Sequence, residues 1–205
     1  MSVDAVIKVG GSLLDWPELP ARLSYYLKER AAERLVIVAG GGAAADVVRG
    51  LDRVHGLGEE RAHDLALRAL DFTAHVLASA VTGLDAVDDE AELSRVWGLA
   101  RTPVFAPRRL LESDEKRSGR ALPHTWDVTT DSIAAYVAQR LGAPELVLLK
   151  SAPLPRAGSA ESAARAGLVD AHFPAVAQHV ERVFLLNLRA PSAEPLRLVR
   201  SLDDR

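Results

Sequence analysis

Apolar residues gather along this chain in short runs, and glycines close several of them. Residues 3–9 (VDAVIKV) and 35–39 (LVIVA) are β-branched runs of strand length, each followed at once by glycine: Gly10-Gly11-Ser12 after the first, Gly40-Gly41-Gly42 after the second. Between and after them, residues 17–32 and 43–53 show helical spacing. The order strand, glycine turn, helix, twice over, predicts parallel strands joined by crossover helices. Residues 59–81 read as one long helix, with Leu65, Ala69, Phe72, Val76 and Ala80 spaced by three and four. Further helices are expected over 88–97, 108–111 and 130–141. Strands are expected over 102–106, 145–149 and 183–188. The polar segment 112–120 (ESDEKRSGR) reads as an exposed loop or hairpin, 151–166 as loop, and the last residues as a polar tail.

The length, 205 residues, suits one domain, and 48% apolar residues can fill a core. A net charge of −3 gives no basic field for nucleic acid. No cysteine is present, so disulfides, thiolate metal sites and cysteine nucleophiles are excluded. No run of about 20 apolar residues predicts a membrane helix. Asp4 and Lys8 interrupt the first apolar stretch, unlike a signal peptide. A cytoplasmic protein is the expectation.

Lysine is scarce: 21 Arg stand against Lys8, Lys28, Lys116 and Lys150. Two of the four end apolar strands. An ammonium is a compact point charge where guanidinium is a broad planar fork, so a strand-end lysine kept in an Arg-rich chain suggests a phosphate contact; the plain alternative is a snorkelling strand end. Gly10, Gly11 and Ser12 would bring backbone N–H groups up to a phosphate, or simply make a tight turn. Three consecutive glycines at 40–42 exceed what a turn needs and suggest that something lies against the backbone. Both turns fall at the carboxyl ends of their strands, the edge where α/β proteins bind ligands. Asp131 opens a helix after Thr129-Thr130; it is either a capping acid or a carboxylate that orients lysines. His63 and His75, twelve apart, make no zinc pair, and no G-x-S-x-G elbow occurs.

Together, Lys8-Val9-Gly10-Gly11-Ser12, Gly40-Gly41-Gly42, and Asp131 followed by a helix, a strand and Lys150 resemble the amino acid kinase superfamily. That resemblance implies an α/β fold, a three-layer αβα sandwich on a mainly parallel sheet. It implies one domain with an acceptor-side lobe (1–125) and a shortened nucleotide-side lobe (126–205). It also implies in-line transfer of the γ-phosphoryl of ATP, with Mg²⁺ held by the nucleotide, to a small acceptor. Lys8, Asp131 and Lys150 would be catalytic; Gly10, Gly11, Ser12 and Ser151 would hold nucleotide phosphates; Gly40, Gly41, Gly42, Asp46, Arg49 and His63 would face the acceptor. A homo-oligomer is expected. The strand ending at Leu149 departs from the family: Lys150-Ser151-Ala152-Pro153 replaces its usual Asp-containing turn, and no lysine stands near Gly167-Leu168-Val169-Asp170.

Ala45-Asp46-Val47-Val48-Arg49, Ala62-His63, Trp126 before Thr129-Thr130-Asp131-Ser132, and Leu149-Lys150-Ser151 further resemble the short kinases of methanofuran biosynthesis, which phosphorylate an aminomethylfuran-methyl phosphate. Two alternatives stay open: a non-catalytic nucleotide- or metabolite-binding relative, and an unrelated α/β protein whose glycine turns are only structural.

Overall fold

The computed structural model describes residues 2–119, 122–156, 158–192 and 194–199. In chain order its elements are β1 (Ala5–Val9), α1 (Leu19–Lys28), β2 (Leu35–Ala39), α2 (Gly42–His55), α3 (Glu59–Ala80), β3 (Leu84–Val87), α4 (Leu93–Gly98), β4 (Thr102–Phe105), α5 (Arg108–Ser118), α6 (Thr130–Arg140), β5 (Glu145–Lys150), α7 (Ala160–Arg165), α8 (Phe173–Ala177), β6 (Arg182–Asn187) and β7 (Leu196–Leu198). The seven strands form one sheet in the order β3-β4-β2-β1-β5-β6-β7. All pair in parallel except β6 with β7.

Period-two alternation sorts the strand residues onto two cores. Val6, Val36, Val38, Leu146, Leu148 and Leu185 face one side, packed by α6, α8 and parts of α3, α4 and α5. Ile7, Val9, Ile37, Ala39, Val147, Leu149 and Leu186 face the other, covered by Leu13, by Leu19 and Leu23 of α1, and by Ala74 and Leu77 of α3. The result is the expected three-layer αβα sandwich. The central strands read as unbroken apolar runs because both of their faces are buried.

Several expectations need correction. Segment 112–120 is no loop: α5 continues through Ser118, and Arg120 lies outside the described residues. Its charges misled because Asp114 is buried, accepting hydrogen bonds from Arg140, Tyr136 and Arg117. Burial alone would raise its pKa, but these donors outweigh burial and bring it to about 2. Segment 151–166 contains α7, started by a capping box between Ser159 and Ser162. The polar tail contains β7. The long helix α3 turns inward a face that overlaps the expected one only at Ala69: Ala62, His63, Leu67, Leu70, Ala74 and Leu77 are also buried, while Leu65, Phe72, Val76 and Ala80 are exposed. Strand β3 and helix α8, four and five residues long, are too short to stand out in sequence.

Candidate active site

Strands β1 and β5 are adjacent and parallel, with Lys8 level with Leu148. Lys150 therefore lies two residues further along and, by alternation, on the same side of the sheet as Lys8. Helix α6 crosses that side, and Asp131 in its first turn meets both lysines. Lys8 Nζ stands 2.9 Å from Asp131 Oδ1. Lys150 Nζ donates to Oδ1 and Oδ2 at 2.8 and 2.7 Å. Lys8 is 6% exposed and Asp131 5%.

Burial pushes the Asp131 carboxyl up, but the charges of Lys8 and Lys150 win and hold it below the usual carboxylate range. Burial, with the charge of Lys8, lowers Lys150 from 10.5 to about 8 against the opposing pull of Asp131. Asp131 is not the helix cap. Thr129 caps α6, accepting from the Asp131 N–H. The carboxylate is thus free for the lysines.

The Lys150 value sets a pH dependence. If charged Lys150 is needed, kcat/KM should fall above about pH 8. Because the folded chain releases this proton before the unfolded chain does, the group's contribution to stability rises from about pH 8 towards 10.5. Activity lost while stability is gained separates titration from alkaline unfolding. Asp131→Asn removes the charge that keeps Lys150 protonated, so the limb should move to lower pH. An unmoved limb would assign it to another group.

The two glycine turns meet at the same sheet edge. A β-carbon on Gly11 would stand 2.4 Å from Gly42 N, and one on Gly40 would stand 2.4 Å from Gly11 N. What lies against each glycine backbone is the other turn. Gly42 also has φ +49°, a left-handed conformation that side chains disfavour. Two expected phosphate or acceptor donors are already used: Gly10 N–H bonds Leu149 O, and Gly40 N–H bonds Val9 O. Ser12 and Ser151 come together, their hydroxyls 2.7 Å apart. Helix α2 starts at Gly42 with no side-chain cap, leaving its positive end facing this edge.

Beside the start of α6 lies an open cleft, lined by Ala45, Arg49, Glu59, His63, Trp126 and Thr130 among others. The Arg49 guanidinium lies 4.7 Å over the Trp126 ring, whose Nε1 donates to Asp52 at 2.9 Å. His63 is stacked on His124 at 4.1 Å. Burial and the neighbouring His124 lower the His63 pKa to about 4, so its ring is neutral near pH 7. Of the expected acceptor residues, Arg49 and His63 line the cleft. Asp46 does not; it is an exposed partner of Arg49 at 2.8 Å. Sequence reasoning missed three residues here. Glu59 opens α3 at the cleft. Arg189 donates to Ser12 O at 3.0 Å and lies 5.3 Å over Trp16; it follows β6 at the same edge, so the strand-end logic applied to Lys150 could have found it. Asp170 binds the start of α6 and had no local signal.

No family model matches the chain. It is 29% identical over 144 residues, 70% of its length, to the [5-(aminomethyl)furan-3-yl]methyl phosphate kinase of Methanocaldococcus jannaschii, and the aligned stretch takes in 63% of that relative. UMP kinase from Ureaplasma parvum superposes with a TM-score of 0.63 at 16% identity, over 94% of this chain and 93% of that one. Aspartate kinase from Synechocystis gives 0.66 at 14% identity, over 98% of this chain and 41% of that one. With its αβα layers the chain has the fold of the UMP and aspartate kinases, and in sequence it is similar to the aminomethylfuran-methyl phosphate kinase.

Proposed function

We propose that the protein is an ATP-dependent kinase for a small phosphate-bearing acceptor, of the kind represented by an aminomethylfuran-methyl phosphate. The observation that carries this reading is the Lys8–Asp131–Lys150 cluster at the sheet edge beside the glycine turns. In an in-line transfer, an acceptor oxygen forms a bond to the γ-phosphorus while the bond to the β–γ bridging oxygen breaks, and ADP leaves with that electron pair. Negative charge spreads over the equatorial oxygens and the leaving group, where two aimed ammonium groups stabilise it. Asp131, locked between cations with its pKa depressed, is a poor proton acceptor. The site thus suits a nucleophile that is already an anion, such as a phosphate oxygen, over an alcohol that must lose a proton.

Among the described residues no group of three or more His, Asp or Glu side chains could hold a metal ion. In this reading Mg²⁺ arrives on the nucleotide phosphates. The cleft beside Asp131 would receive the acceptor, with its apolar wall against the acceptor's ring, Arg49 for its phosphate and Glu59 or neutral His63 for an amine. Arg49→Met should raise the acceptor KM about tenfold or more and leave the KM for ATP unchanged, since a charged hydrogen bond contributes roughly 1.5–3 kcal/mol. Equal change in both would move Arg49 out of the acceptor site.

The decisive experiment follows ADP release with Mg-ATP and a panel of acceptors: phosphate monoesters with and without an amine, carboxylates and alcohols. Turnover on the amine-bearing phosphate supports the reading. Turnover on alcohols alone would overturn the anionic-nucleophile argument. Mg-ATP binding without transfer to any acceptor would leave a nucleotide-binding relative.

A further inference from the structure

We infer that Asp170 is a positioning residue for the lysine pair: its carboxylate fixes the first turn of α6 and so aims Asp131 at Lys8 and Lys150. Asp170 stands in the loop between α7 and α8, roughly forty residues along the chain from the turn it binds. Its Oδ2 accepts from Thr129 N at 3.1 Å, Thr129 Oγ1 at 2.8 Å and Ser132 N at 3.0 Å. Its Oδ1 accepts from Ser132 Oγ and from His172 N, the latter at 3.2 Å. These bonds fall on both sides of Asp131. The helix's own cap is weaker, with Thr129 Oγ1 3.4 Å from the Asp131 N–H.

Aim matters because Asp131 uses both carboxylate oxygens on ammonium groups from two different strands. A small rotation of the α6 start would break one contact or the other. Charge matters as well. Lys8 and Lys150 carry two positive charges, and Asp131 and Asp170 carry two negative ones. The groups facing Lys150 are Lys8 from β1, Asp131 from α6 and Asp170 from its loop; Lys8 favours loss of its proton, and the two carboxylates oppose that loss. Asp170 therefore also ties the segment holding α7 and α8 to the reacting centre. This inference rests on the kinase reading only where turnover is measured.

The test compares Asp170→Asn and Ser132→Ala with the wild type by turnover and by NMR titration of labelled lysine side chains. Only four lysines contribute signals. Asp170→Asn should lower kcat at least about tenfold through misplacement of Asp131. It should also move the Lys150 midpoint to lower pH by about half a unit or more. Asp170→Glu should restore part of the midpoint. A folded Asp170→Asn protein with wild-type kcat and midpoint would reduce Asp170 to a helix cap. If Asp170→Asn does not fold, Ser132→Ala decides: a lowered midpoint supports the inference, and an unchanged one overturns it. The NMR arm is independent of activity, so a protein that transfers no phosphoryl group can still pass it.

Discussion

Lys8→Ala should remain folded and lose at least about a hundredfold in kcat, the cost of removing one preorganised charge from a developing anion. The fold should survive because Asp131 keeps Lys150 as a partner at 2.7 Å, so no buried carboxylate is left unpaired. Removing Lys8 also removes one cause of the low Lys150 pKa, so the alkaline limb of kcat/KM should move to higher pH, opposite to the shift expected for Asp131→Asn. Lys8→Arg should be nearly as poor, because a planar fork does not fit a point-charge site buried to 6% exposure. Wild-type turnover in Lys8→Arg, or an unmoved limb in Lys8→Ala, would remove Lys8 from the reacting centre.

The largest effect on stability is expected at Gly11. A valine there places its β-carbon 2.4 Å from Gly42 N and 2.8 Å from Gly42 Cα. Both are backbone atoms, so no flexible side chain can give way. A cost of about 3 kcal/mol or more is expected, which for a chain of this size lowers Tm by roughly 6–12 °C. Gly50→Ala in α2 is the counterpart: its β-carbon meets nothing within 4 Å, and relief of glycine's helix penalty should raise stability by up to about 1 kcal/mol. Thermal unfolding reads both. Should Gly11→Val keep the wild-type Tm and raise only the KM for ATP, a ligand rather than the facing turn would explain the glycine.

The parts of the fold that sequence revealed are those where burial is total. Strands β1, β2 and β5 are apolar runs covered on both faces, so each stands out without reference to its neighbours. Lys8 and Lys150 were legible because each ends such a run in a chain that otherwise favours arginine. The parts that stayed hidden depend on pairing between distant residues. The part of α5 from Glu112 onward looked like solvent-exposed loop because nothing local says that Asp114 is buried against Arg140 and Tyr136. Helix α3 offers two apolar stripes, and the buried one includes small and polar residues, Ala62, His63 and Thr73, that hydropathy undervalues. The glycines were legible as unusual but not as to cause, since a contact between two turns is a property of the folded edge.

That contact partitions how such a protein can change over evolutionary time. Each turn sits where it does because the other lacks side chains: a side chain on Gly11 or Gly40 would meet the backbone of the facing turn, so neither position tolerates exchange. The cleft meets the turns at Ala45 and Leu70, which stand against Gly41. Arg49, Glu59 and His63 project from α2 and α3, and each can be exchanged while the glycines stay put. Under the kinase reading, acceptor preference is therefore open to change in single steps, whereas the glycine turns at the sheet edge are not.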